Sequence, residues 1–566
     1  MDHIRIIRIS CCVVIATCPA MFRAQAAELY VSASGNDAFL GTIEHPFRTI
    51  QRAADAARPG DTVLIRGGVY RKRVFILNSG EPDRAITYRR FGEEDVRIWY
   101  SKDVSAAEDW IEMGTNRWRT ADGSFARTVN HDVATIWHDD ASNWRYKKKQ
   151  PEDLQTQWDF WHNLEQGRIE VYSEGNPAAK AEHIEVPLDP PDPNQFVVTV
   201  TASHIVLDGI SIKYANVHGI QVKGDYVTFR NGRITHGGGG NISPNRKPPV
   251  RWGDGLDIWS SAHDVVFENN VVGEFPDGGL TNQGFQGVQY NIYFRNSLIY
   301  NCTNGIHCWF GQNESDENEL HHIYYEGNTF RDIGRGWFED QGVMQGAIQF
   351  NPRKGVATSE IHIRGNTFIN CGTTRFTGGT WQGVNGAINI GGGDVHIANN
   401  RIYGGPSEGI HIHHNGQPWT GSIVNNLIYN NGWSGLRIHQ NATTDKARVC
   451  NNTIVNNGDA EHPNVSVENG SSTMLWRNNI FCSTRSSPLQ CKAGDFDYNC
   501  VWPGGATGRH SISADPRFVN PEDDDYRLSP GSPCLGSGDR TTAPAADLEG
   551  RPRPAGRGAD MGAYEG

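Results

Sequence analysis

From Asp254 to Asn479 the chain repeats one pattern of apolar and polar positions. A glycine leads into an alternating strand, then come a turn, a second short strand, and an asparagine followed by another apolar residue. Clear copies are DGLDIWSSAHDVVFENNVV from Asp254, EGIHIHHNG from Glu408 running on to SIVNNLIYNN, and SGLRIHQN from Ser434 running on to VCNNTIVNN. Aligned on the asparagine, the copies give Asn270, Ser297, Asn328, Asn366, Asn400, Asn426, Asn452 and Asn479, roughly 26 to 38 residues apart, as stacked repeats are. Strands of period two cannot be helices, and no amphipathic helical stretch separates them, so βαβ units are excluded. The pattern predicts an all-β fold, a parallel β-helix whose coils pair edge to edge at about 4.8 Å. The recurring asparagine predicts a buried ladder of side-chain amides, each bonded to its equivalents above and below.

Ahead of the repeat, FRTIQRAADAA after Pro46 places Ile50, Ala53, Ala54 and Ala57 on one face, and Pro59-Gly60 ends the segment. This predicts a short N-terminal helix capping the first coil, TVLIRGGVY, which otherwise leaves a strand edge unpaired. Between 106 and 188 the repeat is lost. WIEMGTNRWRTADG, VATIWHDDASNWRY and GRIEVYSEGNP read as hairpin strands of a small β insertion whose tryptophans form its core rather than line a substrate channel. At the start, Arg5 and Arg8 precede the apolar run CCVVIATCPAMF, with small Ala24, Ala26 and Ala27 after it, as in a secretory signal. The expected divisions are a signal peptide at 1–27, cap and first coils at 28–105, the insertion at 106–188, repeats at 189–514, and a coil at 515–566 wrapping the last coils. A secreted or periplasmic protein follows, with no membrane span, since no later stretch is apolar enough for one.

The signature YVSASGND, then GT, then PFRTIQRAADAARPGDTVLIRGGVY resembles the start of secreted right-handed parallel β-helix proteins of the pectate-lyase-like superfamily. The end, DPRFVNPEDDDYRLSPGSPCLGSGD followed by DLEGRPRP and DMGAYEG, is similar to the tail of those proteins. The resemblance implies a right-handed solenoid. It implies no single reaction, because that superfamily holds lyases, hydrolases, epimerases and non-catalytic binders.

Composition agrees with a turn-dense solenoid, at 64 glycines and 27 prolines in 566 residues. The net charge of −12, without a basic run, argues against a nucleic-acid partner. A polysaccharide or oligosaccharide is the expected partner, and the chain is expected to act as a monomer. Cys482, Cys491, Cys500 and Cys534 cluster where a disulfide would staple loop-rich structure, while Cys302, Cys308, Cys371 and Cys450 sit inside repeats as small hydrophobes. No CxxC pair appears, which argues against structural zinc.

Alternate residues of the strand after each glycine face outward. The first outward column reads Gln221, Asp257, Thr281, His307, Gln349, Asn389, His411 and Arg437; the second reads Lys223, Trp259, Gln283, Trp309, Asn351, Gly391, His413 and His439. His, Asn, Gln, Asp and Trp are side chains that bind and process sugars, so the face reads as a polysaccharide groove. Trp259 and Trp309 would be its stacking platforms, with Gln349, Asn351, Asn389 and His439 among its polar contacts. Two catalytic clusters stand out. Asp254, Asp257, Asp277 and His307 suit glycoside hydrolysis, where one carboxyl protonates the leaving oxygen and another activates water, about 6.5–9.5 Å away for inversion. Their order resembles the polygalacturonase-like family, although that family's paired-Asp, Gly-His-Gly and Arg-x-Lys motifs are incomplete here. The same aspartates would also suit Ca²⁺, or serve only to cap turns before glycine. His411, His413 and Arg437 suit a lyase or epimerase acting on uronic acids, with Arg437 neutralising the substrate carboxylate and an imidazole removing the C5 proton. Lys354 is the alternative base, and Glu339, Asp340 and Glu408 are carboxylates at the groove's edge. The reading is an exported carbohydrate-active enzyme, glycoside hydrolase ahead of lyase or epimerase, with a non-catalytic carbohydrate-binding or adhesion protein as the third alternative.

Overall fold

The computed structural model describes residues 26–125, 131–142, 146–188, 195–243, 250–311, 313, 315, 317–334, 346–373, 386–413, 417–439, 447–468, 473–554, 556 and 558–566. Nearly all of the expected signal peptide, and Glu339 and Asp340, lie outside them. Three parallel sheets of 14, 13 and 12 strands run along the molecule, and each coil gives one strand to each sheet, as in a parallel β-helix. The coil around Asn400 shows the plan: Val395–Ala398 in the first sheet, Arg401–Tyr403 in the second, Ile410–Ile412 in the third, then Ser422–Val424 back in the first. Val395, Ile397, Ile402, Ile410 and Ile412 all point into one core and are completely buried. Because every strand must aim alternate side chains at that axis, none can run far before the chain turns.

The turn between first and second sheets explains the Asn-Asn pairs. Its first residue takes a left-handed conformation, at Asn269, Asn296, Asn399, Asn425, Asn451 and Asn478 with φ of 52–59°, and at Gly327 and Gly365 in the two coils that use glycine. Asparagine and glycine are the residues that adopt it at least cost. The second residue turns inward and builds the ladder. Asn366, Asn400, Asn426 and Asn452 each donate from backbone N–H and side-chain Nδ2 to the Oδ1 one coil on, at 2.9–3.0 Å. Ser297 keeps its place by accepting the Asn270 N–H on its hydroxyl, at 3.1 Å. The ladder runs one rung further than the sequence pattern indicates, to Asn499, and a second, shorter ladder joins Asn431, Asn457 and Asn464.

The capping helix spans Ile50–Ala56, and Ile50, Ala53, Ala54 and Ala57 are buried as their spacing predicts. It starts three residues later than the sequence suggests, because Phe47 bridges to Val31 and Thr49 serves as N-cap, accepting the Arg52 N–H at 3.2 Å. Thr49→Ala is expected to cost about 1 kcal/mol, read as a lowered midpoint of thermal unfolding.

The described residues between 101 and 187 leave the coil and include two four-stranded antiparallel sheets. Trp110, Phe125, Trp158 and Phe160 are buried in a core of their own, so these tryptophans pack the unit rather than line a channel. Arg71 with Glu185 (2.6 Å) and Arg251 with Asp132 (2.7 Å) fasten it to the solenoid. At the other end Tyr526, Leu548 and Tyr564 pack on Leu427, Tyr429 and Val455 of the second sheet. The left-handed asparagines of three coils hold this tail: Asn425, Asn451 and Asn478 donate to the carbonyls of Ala546, Asp560 and Asp539 at 2.7–3.1 Å. The disulfide expected near the end is not formed. All eight described cysteines are free thiols, and Cys500 and Cys534 are buried in one apolar cluster. No helix of the described residues is long and apolar enough to cross a membrane.

Candidate active site

Strand pairing in the third sheet sets Gln221, Asp257, Thr281, His307, Gln349, Asn389, His411 and Arg437 in one line of successive register partners. Most of this line is a sunken floor: Asp257, Thr281, Gln349, Asn389 and His411 are all at most 4% exposed. Trp259, Gln283 and Trp309 form the adjacent line and are half-buried.

The acidic cluster is compact. Ligand atoms of His218, Asp254 and Asp257 all lie within 4.8 Å of one another, and Asp277 joins from the next coil. Asp254 accepts the Gly278 N–H (2.8 Å) and the Gln283 side-chain amide (3.2 Å), Asp277 accepts the Gly253 N–H (3.3 Å), and Asp257 accepts the Thr281 hydroxyl. The second oxygen of Asp257 has no hydrogen-bond partner among the described residues. His218 does not neutralise the group. Its Nδ1 accepts the Asp254 backbone N–H at 3.0 Å and so carries no proton toward the carboxylates 3.6 and 3.8 Å away. Burial raises all three carboxyl pKa values: Asp254 well above its ordinary range, with the Asp277 and Asp257 charges adding to the rise, Asp257 upward, and Asp277 to about 7. Burial also lowers His307 to about 4, so that imidazole is neutral.

Asp254 and Asp257, on one coil, bring carboxylate oxygens within 4.8 Å of each other. Beside the cluster Phe285 bridges the two tryptophans, its ring 5.7 Å from Trp259 and 6.2 Å from Trp309, and it is 48% exposed. Together the three rings give an apolar wall of the kind sugar faces stack on.

The cationic cluster is built differently from its expected form. His411 lies 5.5 Å from the His413 ring and 6.0 Å from His439. Arg437 is paired with two glutamates and its side chain is 23% exposed. It donates from Nε and Nη2 to Glu468 Oε1 at 2.8 and 2.7 Å, and from Nη1 to Glu408 Oε1 at 3.2 Å. Asn389 is also spent, because its side chain accepts from Gly386 N–H (2.9 Å) and donates to Gly386 O (2.7 Å), closing its own turn. Asn351 donates to Gln349 at 3.3 Å, and Lys354 stands exposed in the following turn. Six coil steps of about 4.8 Å set Arg437 about 29 Å from Asp257, so the two clusters are separate places. Sequence reasoning missed His218, Phe285, Glu468 and Trp433. His218 sits one coil early in the column, just ahead of Gly219, and Phe285 lies two positions beyond Gln283, both within reach of the alternation rule.

No family model matches the chain. Among curated proteins, the uncharacterized protein YwoF of Bacillus subtilis (strain 168) is 43% identical over 70 residues, 12% of this chain and 15% of that protein. Pectate lyase PEL9 of Emericella nidulans is 39% identical over 75 residues, 13% of this chain and 18% of that enzyme. The match thus spans less than a fifth of either relative. Of solved structures, a complex of XylC with xylose aligns at TM-score 0.49 and 12% identity, covering 95% of this chain and 98% of that one. Pectate lyase Pel9A aligns at 0.42 and 13%, covering 96% and 97%.

Proposed function

We propose that this protein is an exported glycan-degrading enzyme that hydrolyses glycosidic bonds at Asp254, Asp257 and Asp277. The observation that carries this reading is the cluster itself: three buried carboxyl groups with no positive side chain among the described residues, beside the Trp259–Phe285–Trp309 wall. These carboxyls also hold the Gly253 and Gly278 turns, but three of them gathered in one buried place with raised pKa values mark a candidate site of chemistry. Asp277, protonated up to about pH 7, is the acid that protonates the leaving oxygen as the bond from the anomeric carbon breaks. Asp257, with one free oxygen, attacks that carbon, and water then releases the sugar while returning a proton to Asp277. On this route the first product is expected to keep its anomeric configuration, read by proton NMR; inversion would show that water, not Asp257, attacks the carbon. Because Asp277 must hold its proton, kcat/KM is expected to fall as pH rises through about 7.

A second reading is calcium-dependent elimination on a uronic-acid polymer, favoured by the compactness of the cluster and the short match to a pectate lyase. The carboxylates of Asp254, Asp257 and Asp277 fit a hard cation, and the partnerless Asp257 oxygen is a ready ligand; His218 Nδ1 is less suited, being already an acceptor. When bound, the cation would supply positive charge to the substrate carboxylate. Incubation with a polysaccharide panel, with and without EDTA, separates the readings. New reducing ends without ultraviolet absorbance, unaffected by EDTA, support hydrolysis; an ultraviolet-absorbing product abolished by EDTA supports elimination.

A further inference from the structure

The last coils carry a groove of about 450 Å³ along the outward face of the third sheet, lined by Glu408, Trp433, Arg437, His462, Glu468 and Lys492 among others. It continues the register line of the acidic cluster, since Arg437 pairs with Ser466 and Ser466 with Gln490. Three features mark it as a built site. Glu408 is 1% exposed, and its Oε2 has no hydrogen-bond partner among the described residues; burial raises its pKa to about 7, so above neutral pH this oxygen is an acceptor withdrawn from water. Arg437 grips Glu408 by its other oxygen and Glu468 besides, which fixes where that acceptor points and balances its charge against two glutamates. Trp433 is half-buried and stacked on His462, ring centroids 4.1 Å apart and planes at 16°, so its indole is held by one face rather than free to turn, and both rings line the groove.

We infer that this groove is a second saccharide-binding site, taking an uncharged sugar unit whose ring lies on Trp433 and whose hydroxyl donates to Glu408. The chemistry selects against acidic sugars. A uronate carboxylate would bring a third negative group to an arginine already shared by two glutamates, with the ammonium of Lys492 as the remaining cation on the wall. A hydroxyl supplies the donor that Glu408 lacks and needs no counter-charge. Arg437 lies six coil steps, about 29 Å, from Asp257, so one glycan chain of six or so units would reach both places. The inference builds on the proposed glycan substrate and narrows it to a polymer with neutral units at this end.

The test is equilibrium binding of xylohexaose, cellohexaose and hexagalacturonate by isothermal titration calorimetry, on the Asp257→Asn protein so that nothing is turned over. At least one neutral hexasaccharide is expected to bind, with tenfold or greater loss in Trp433→Ala and in Glu408→Ala and retention in Glu408→Gln, which still offers an acceptor. Circular dichroism melting of each variant checks its fold. Tighter binding of hexagalacturonate than of either neutral sugar, equal affinities in Trp433→Ala and its parent, or no neutral binding at all would overturn the inference. The hydrolysis reading fails separately, if Asp257→Asn retains full turnover.

Discussion

Asp277→Asn is expected to lower kcat by about two to four orders of magnitude and, in the same protein, to raise the midpoint of thermal unfolding at pH 8. Both effects come from one cause. A carboxyl whose pKa is raised from 3.8 to about 7 by burial binds its proton more tightly folded than unfolded. Below about pH 4 both states are protonated and the group costs nothing. Between about pH 4 and 7 the folded state holds more protons than the unfolded one, so stability falls as pH rises, and above 7 the loss is complete. Asparagine cannot ionise, so the variant escapes the loss. An isolated group with that shift would imply roughly 4 kcal/mol; the gain is expected nearer 1–3 kcal/mol, because asparagine is still a buried polar group. Melting curves of parent and variant should therefore converge toward pH 4 and separate toward pH 8. An equally stable variant with full activity would move the chemistry off this cluster.

Asn426→Leu is expected to be the most damaging single change in the solenoid outside its apolar core. Asn426 sits mid-ladder, 0% exposed, and its loss takes the acceptor from the Asn400 backbone N–H and one of two acceptors from Asn400 Nδ2, and removes the side-chain donor to the Ile397 carbonyl, while Asn452 Oδ1 keeps the backbone N–H of residue 426. A buried polar group left unpaired costs about 1–3 kcal/mol, and the other lost ladder bonds add to it. Asn351→Leu, at a half-buried position outside the ladder, should cost under about 1 kcal/mol. Chemical denaturation of the two variants side by side measures the difference; equal midpoints would show that the amides contribute nothing beyond turn formation.

The backbone plan was readable because it repeats. Eight ladder positions, the outward column from Gln221 to Arg437 and the helix face at Ile50, Ala53, Ala54 and Ala57 each follow from a period, and a period is a property of sequence alone. What the alternation rule could not show is what an outward side chain does once there. Asn389 and Arg437 occupy groove positions as expected, yet one closes its own turn and the other is held by Glu408 and Glu468, partners that lie before and after it in loops of irregular length. Likewise the neutrality of His218 depends on which atom meets its Nδ1, a backbone N–H 36 residues away. Pairings that depend on loop geometry carry no periodic signal.

The asparagine ladder also bears on how the molecule assembles. Each rung joins residues about one coil apart, between 20 and 38 positions along the chain, however many coils lie on either side. Closing a loop of that size costs nearly the same for every coil, since the entropy grows only with the logarithm of length. Lengthening such a solenoid therefore adds steps of equal difficulty rather than one ever harder search, and folding can spread from any formed coil to its neighbour. The same locality makes a broken rung a boundary: in an Asn426→Leu chain the coils before and after the lesion would melt as two blocks, each keeping its own cooperativity.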